Sequence, residues 1–540
     1  MTKEKGMARK CLVIQEARFG DLIQSKPLIE DLSMGGQCRR VLLVRSRVAE
    51  AARAMNLGEE VLVWPPFGNP DSALSPVERI SQGRDFVAKL RGEGFERVVV
   101  LNHHGTGITL ARLLGIPHFG FDRVFDKGNG EIDPLAEWPG YLVASSRGIR
   151  PLNRIHLSDI WRGFGENGRR TEKGPEDAGK SAQLNPRGPI VVVLGGRSPY
   201  RRWDREPLLK LVRALRKIDG GPVFLSGGPE DAVLGEHLAR ECGEGVVNTA
   251  GQTGYSELEG LLASAGAVVS PDTASLHLAA SLGVPTLGLF FASALPFETG
   301  AYRSGALSLV SSMECYPCAG EGSSCSHRTC RDDPDPTIVA EIVSRIKRGA
   351  SGRDLVMQLW GRLTGSELWE AEWTGSGLLQ KVLSPRLLTK ERVVSRLLRR
   401  FSWRYLAGSS DLLPLETEIS WEGTDIAPEP ECLPGFSRIS LPWSLWFTRL
   451  EQGISLYARL REQDLRQLER KRLVDRLATD FPMLWPVLHH LEWVEGGRGP
   501  LDRLMAAAVP LALEASEAAR LVDRSRGRIS LEMERAHVEV

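Results

Sequence analysis

Three short segments place chemically capable side chains directly after apolar runs. The first is Arg18-Phe19-Gly20-Asp21, which follows Cys11-Leu12-Val13-Ile14-Gln15. Gly20 permits a tight strand-to-helix turn, so Asp21 falls at the start of a helix. Two readings of Asp21 stand side by side. It is an N-cap accepting from exposed helix N–H groups, or a general base taking a proton from a hydroxyl. The second segment, Gly195-Gly196-Arg197-Ser198-Pro199-Tyr200-Arg201-Arg202-Trp203, follows Ile190 to Leu194. Gly195 and Gly196 allow close backbone approach, and the next helix offers N–H groups to an anion. Arg201 and Arg202 could clamp a diphosphate; the alternative is an ordinary loop with solvated arginines. The third runs from Ser270 to Ala280, with Asp272 and Thr273 at a helix N-terminus and His277 four residues on, on the same face. A structural histidine is the competing reading of His277.

A fourth constellation is sulfur-rich. Cys315, Cys318, Cys325 and Cys330 have the spacing C-x2-C-x6-C-x4-C, with His327 among them. Four thiolates so close can close a tetrahedral site, and structural zinc is the expected metal. Free thiols or a redox pair are the other reading. The D-x-D match Asp333-Pro334-Asp335 is Pro-rich and precedes a helical pattern, so a capping or loop role is expected of it, not metal binding.

These segments need elements to hold them. Residues 8–170 alternate continuous apolar runs (Leu12 to Ile14, Val41 to Val44, Val61 to Val63, Val98 to Leu101) with amphipathic stretches such as Asp21 to Leu32 and Val77 to Arg91. That is the rhythm of a parallel sheet buried on both faces. Residues 171–188 are nearly devoid of apolar side chains and read as a linker. The rhythm restarts over 189–350, with strands expected at Ile190 to Leu194, Pro222 to Leu225, Val246-Val247, Ala267 to Val269 and Thr286 to Phe290. Two doubly wound units would bind ligands beyond the carboxyl ends of their strands.

Residues 351–540 lose the rhythm and read as a mostly helical extension. Thr389 to Leu406 carries Arg392, Arg396, Arg399, Arg400 and Arg404 between apolar positions. A packed helix with solvated arginines is the favoured reading, and a helix lying on an anionic membrane the alternative. Nine of the thirteen Trp follow residue 350, which argues for a folded module there. Trp443 and Trp446 could form a sugar- or partner-binding platform, and His103-His104 an acceptor contact.

Composition excludes some classes. Among 540 residues, Lys+Arg 69 against Asp+Glu 68 leaves a net charge of +1, so no bulk positive field exists to bind nucleic acid. The N-terminal apolar run is too short for a secretory leader, and no stretch reaches the ~18 apolar residues of a membrane span. A cytoplasmic protein is expected. Its eight Cys would then be free thiols or metal ligands, not a disulfide framework.

The ordered set of motifs resembles glycosyltransferase family 9, the ADP-heptose:lipopolysaccharide heptosyltransferases and their relatives. The residues that carry the resemblance are Gly20-Asp21, Arg201-Arg202-Trp203, Gly227-Gly228-Pro229-Glu230, Asn248 to Gly251 with Glu257-Leu258, Asp272-Thr273 with His277 to Ala280, and Gly283-Val284-Pro285. It covers about residues 10–345 and not the last third. The resemblance implies a GT-B fold, two Rossmann-like domains facing a cleft, the first on the acceptor side and the second binding the nucleotide sugar. It implies Asp21 as catalytic base and Arg201 near the donor diphosphate. Glu230 would lie at the donor nucleoside, and Asp272, Thr273 and His277 in the donor site. The implied reaction is inverting and metal-independent, with no cofactor required. ADP-heptose is the default donor, and a lipid-linked, lipopolysaccharide-type or other surface glycan the acceptor, with peripheral association at the inner membrane. Ala274, Pro271 and Gln15 depart from the family's pattern and bear on donor and acceptor identity. A different donor with a protein acceptor is one rival reading. A degenerate, non-catalytic scaffold binding partners through its tail is another.

Overall fold

The computed structural model describes residues 9–32, 38–65, 74–102, 105–121, 138–139, 141–142, 150, 153–164, 184–196, 198–313, 315–318, 325, 327–332, 334–359, 362–363, 365–384 and 387–388, with scattered residues from 392 to 426. His103-His104, most of the linker, Trp443, Trp446 and the chain beyond 426 lie outside these residues. The chain divides into two compact units. The first takes in Met1–Val143, Leu157–Pro175 and Thr253–Gly260; the second takes in Ala144–His156, Glu176–Gln252 and Leu261–Val540.

The first unit is built on β1 (Arg9–Gln15), β2 (Cys38–Val44), β3 (Glu60–Val63), β4 (Arg97–Val100) and β5 (His118–Gly120). All pair in parallel, in the order β3-β2-β1-β4-β5. Helices Phe19–Asp31, Ser46–Ala54, Pro76–Gly92 and Gly105–Leu114 connect them. Leu12, Val13, Ile14 and Val41 to Val44 are fully buried. This is why the runs are continuous: the helices cover both faces, and no position faces water.

The second unit repeats the plan. Its strands are β6 (Ile190–Val193), β7 (Val223–Ser226), β8 (Val246–Asn248), β9 (Ala267–Pro271), β10 (Thr286–Phe290) and β11 (Leu307–Ser311). They run in the order β8-β7-β6-β9-β10-β11. Leu287 and Leu289 enter one core and Phe290 the other, as side chains alternate across a sheet. Strand β11 was not among the expected ones, because its buried Ser308 and Ser311 interrupt the apolar run. Both halves of the expected GT-B architecture are therefore doubly wound sheets with one strand order.

Three expectations are corrected. Residues from 351 onward do not begin a helical appendage. After the helix Gly352–Leu359, β12 (Ser366–Thr374) and β13 (Gly377–Val382) add antiparallel to β11 and extend the same sheet. The Thr374-Gly375-Ser376-Gly377 turn was the available signal. Next, the arginines of the 392–404 stretch are not solvated. Arg396, Arg399 and Arg400 are 0%, 1% and 5% exposed. Arg399 and Arg400 share the fully buried Glu418, at 3.3 Å and 2.8 Å, and Arg392 meets Glu367 at 2.9 Å. A buried charge must be paired, and these arginines are turned into the protein, away from any anionic surface. Third, Cys11 and Cys38 form a disulfide instead of standing free. The adjacent parallel strands β1 and β2 bring their Cα atoms to 6.1 Å across 27 residues of sequence. Among the described residues no group of three or more His, Cys, Asp or Glu is placed to hold a metal ion. Burial, and then the neighbouring thiols of the cluster, raise the pKa of Cys318 and Cys330.

Among the described residues, no helix is long and apolar enough to cross a membrane. Asp335 caps the helix Pro336–Lys347, accepting from Thr337 N at 2.7 Å, the role expected of it.

Candidate functional site

In the second unit the strand order reverses between β6 and β9, which leave the sheet toward opposite sides. The crevice at such a switch point is where an α/β sheet takes a ligand. The loop after β6 carries Gly195, Gly196, Arg201 and Arg202; the loop after β9 carries Asp272 and Thr273. The two loops touch. A Cβ on Gly196 would sit 3.0 Å from Thr273 Cγ2, so this close approach favours glycine. Gly195 answers a different constraint, since a Cβ there would collide with the Asp231 carboxylate.

Arg201 and Arg202 part company. Arg201 donates to Ser293 Oγ at 2.8 and 3.2 Å and lies 3.7 Å from Asp272 Oδ2. Arg202 donates to Asp231 Oδ1 at 2.7 Å. Asp231 is buried and also accepts from Gly228 N at 3.0 Å. Glu230 beside it is exposed, on the loop after β7.

Asp272 stands beside Arg201 with 9% of its side chain exposed. It accepts from Thr299 Oγ1 at 3.0 Å. Burial pushes its pKa up to about 6, against the opposing pull of Arg201 and Thr299. His277, on the helix Ala274–Ser281, is 5% exposed; burial and then the nearby His156 lower its pKa to about 3. At neutral pH, therefore, Asp272 is charged and His277 is not. Their 3.7 Å separation is a polar contact and no ion pair.

Thr273 is the N-cap position of that helix, but its side chain makes no cap bond. Its hydroxyl lies 2.9 Å from Ser270 Oγ instead. The first turn of the helix thus keeps its N–H groups uncapped by a side chain, beside a guanidinium.

Several residues of this site were not visible as such in the sequence. Thr299, Glu298, Arg150, His156 and Ser293 join it only through tertiary packing. Arg150 pairs with Glu298 at 2.7 Å, and His156 Nε2 lies 2.9 Å from Gly300 O. Residues 150–156 precede the linker and still group with the second unit.

The first unit has its own switch point, between β1 and β4. Asp21 is the third residue of the helix Phe19–Asp31, and its partly exposed carboxylate accepts from Arg18 N at 3.1 Å. Glu16, directly after β1, was not singled out in the sequence. Its side chain is 1% exposed; it pairs with Arg45 at 2.7 Å and accepts from Gly107 N at 2.8 Å. Burial raises its pKa against those two partners. A Cβ on Gly107 would lie 2.7 Å from Glu16 Oε2, so the glycine makes room for the acid.

Residues 161–328 match the family model of glycosyltransferase family 9 (heptosyltransferase). The matched segment is similar to that family over under a third of the chain. It contains Arg201, Arg202, Glu230, Asp272, Thr273 and His277; Asp21 lies outside it. Lipooligosaccharide heptosyltransferase 2 of Haemophilus influenzae is 34% identical over 108 residues, 19% of this chain and 31% of that protein. Lipopolysaccharide heptosyltransferase 3 of Escherichia coli is 30% identical over 107 residues, again 19% and 31%. The chain thus spans about a third of the length of the curated relatives it matches. Among solved structures, E. coli ADP-heptose lps heptosyltransferase II aligns over 63% of this chain and 99% of that one, with TM-score 0.46 and 18% identity.

Proposed function

We propose that this protein is an inverting glycosyltransferase. It moves a sugar from a nucleotide-activated donor to a hydroxyl of a lipopolysaccharide-type or other surface-glycan acceptor. The observation that carries this reading is the second switch point. There an uncapped helix N-terminus, a close-approach glycine and Arg201 converge beside a carboxylate that is charged at neutral pH. The first three suit a diphosphate. The carboxylate of Asp272 suits hydroxyl donors of a sugar, since an ionised carboxylate only accepts. ADP-heptose is the donor we assign by likeness to the heptosyltransferases.

In the reaction, Asp21 takes the proton from the acceptor hydroxyl as its oxygen attacks the anomeric carbon from the face opposite the nucleotide. The carbon–oxygen bond to the diphosphate breaks, and the leaving charge meets Arg201 and the helix N–H groups. Electrostatic groups aimed at developing charge are a large source of rate enhancement. With those groups carrying the charge, the step as proposed needs no divalent cation. Asp21→Asn is the test. A folded variant that kept near-normal transfer would remove Asp21 from this role. Release of nucleoside diphosphate from a panel of donors, in the presence of acceptor extract, separates this reading from a non-catalytic scaffold.

A further inference from the structure

The cysteine-rich loop and the residues just after it have no part in the chemistry above, yet they grip the donor side. Arg331 is 6% exposed. Its Nη1 donates to Pro199 O at 3.2 Å, to Arg202 O at 3.1 Å and to Asp204 Oδ1 at 3.1 Å; Nη2 meets Asp204 Oδ2 at 2.8 Å. These partners lie on both sides of Arg201 in the chain. Trp203 Nε1 returns a bond to Arg331 O at 2.7 Å, and the Arg328 guanidinium stacks 4.8 Å from the Tyr200 ring. One guanidinium thus fixes the backbone that carries Arg201.

The tip of Arg201 is fixed separately. Ser293, 1% exposed, accepts from both Nε and Nη2 of Arg201. Ser293 follows Ala292, whose φ of +52° is left-handed and disfavoured for a side chain with a Cβ. Two contacts hold that corner in place. Cys318 N donates to Ala292 O at 2.9 Å, and the Ala292 N–H bonds the Cys330 thiol. The loop that ends in Arg331 therefore braces Arg201 at its backbone directly, and at its tip through Ala292 and Ser293.

We propose that Arg331 and Ser293 are positioning residues that pre-order Arg201 for the diphosphate of the donor. The inference rests on the donor-site reading above. A free arginine loses side-chain freedom when it grips a ligand, and that loss weakens binding. An arginine already held by Ser293 has given up much of that freedom before the ligand arrives. Arg201 keeps 28% of its side chain exposed, so an edge of the guanidinium remains for a phosphate oxygen. Lysine cannot replace Arg331, because a point charge does not reproduce the planar fork that reaches two carbonyls and a carboxylate.

The experiment is calorimetric titration of the full chain with ADP, UDP and GDP, and with the three matching nucleosides. Arg201→Ala comes first; if it leaves nucleoside diphosphate affinity unchanged, the donor-site reading itself is wrong. With that arm positive, Ser293→Ala and Arg331→Lys are expected to weaken the preferred diphosphate about 5- to 20-fold, while nucleoside affinity stays within about twofold. Combined with Arg201→Ala, neither should cause a further loss, because both act through the missing side chain. Ser293→Ala removes one oxygen and no charge, so it reports even if Arg331→Lys does not fold. Unchanged diphosphate affinity in Ser293→Ala would overturn the inference. Equal loss for nucleoside and diphosphate, or additive loss in the double variants, would do so too.

Discussion

The two units share a strand order and differ at the same place in it. In the first, the crevice between β1 and β4 is filled by the chain's own carboxylate. Glu16 takes the Gly107 N–H near the start of the helix Gly105–Leu114 and neutralises Arg45. In the second, Thr273 turns its hydroxyl toward Ser270, no side chain caps the helix Ala274–Ser281, and Arg201 stands by. A helix N-terminus and a cation favour a further anion less the more closely a carboxylate already pairs them. Glu16 lies 2.7 Å from Arg45 and takes a helix N–H, whereas Asp272 stays 3.7 Å from Arg201 and accepts from Thr299. The same topology thus yields one switch point whose cation is closely paired and one whose helix N-terminus no side chain caps. On the proposed function, the diphosphate belongs to the second unit and hydroxyl activation to Asp21 in the first.

The largest expected effect tests the division of labour. Asp21→Asn should lower turnover about 10²- to 10⁴-fold while the dissociation constant for nucleoside diphosphate stays within about twofold. Arg201→Ala should show the reverse emphasis, weakening nucleoside diphosphate about 10- to 100-fold, roughly what one charge-assisted contact supplies. Steady-state kinetics and titration on the same two variants would break the comparison if both variants moved both quantities alike.

A third substitution asks whether Glu16 is what closes the first crevice. Glu16→Ala should cost about 1–3 kcal/mol of stability, because it leaves buried partners unsatisfied. It should also create an anion site. Sulfate is expected to raise the variant's melting temperature more than the parent's. Equal responses to sulfate would show that Arg45 and the Gly107 N–H do not form a latent site.

The smallest effect is in pH. Asp272 has its pKa raised to about 6 by burial, from an ordinary value of 3.8. Between these values the unfolded chain loses its proton first, so this group makes stability fall as pH rises from about 4 to about 6. His277 has its pKa lowered to about 3 from 6.5. Its unfolded form binds a proton that the folded form refuses, so stability climbs with pH from about 3 to about 6.5. The histidine shift is the larger, and the pair together should favour higher pH. Between pH 4 and 6 the two contributions nearly cancel, so His277→Gln should leave the Asp272 contribution exposed and make stability fall more steeply with rising pH there in denaturant titrations. Donor affinity should decline below about pH 6 as Asp272 takes up its proton and loses the charge that accepts from sugar hydroxyls.

Much of this was legible in the residues. Continuous apolar runs identified β1, β2, β4, β6, β9 and β10, because strands covered on both faces need no polar positions. Gly196, Arg201, Asp272, Thr273 and His277 stood out because each closely follows a strand in a loop or at a helix start. Less legible were the elements that break those patterns. β11 contains buried serines, and β12 and β13 are a Trp-containing hairpin that read as part of a helical tail. The arginines between 392 and 404 looked solvated because a one-dimensional pattern of charge does not reveal Glu418 beneath them.

The sequence by itself determined the two doubly wound units and the residue types at each strand end, since local periodicity and turn chemistry are properties of neighbours along the chain. Tertiary structure alone decided which of those residues meet. It separated Arg201 from Arg202, gave Arg201 to Ser293, set Glu16 against Arg45, and placed Arg331 across the Arg201 loop. These contacts join residues 29 to 132 positions apart. The packing of loops beyond a sheet's carboxyl edge fixes them, and no pattern in the adjacent sequence encodes that.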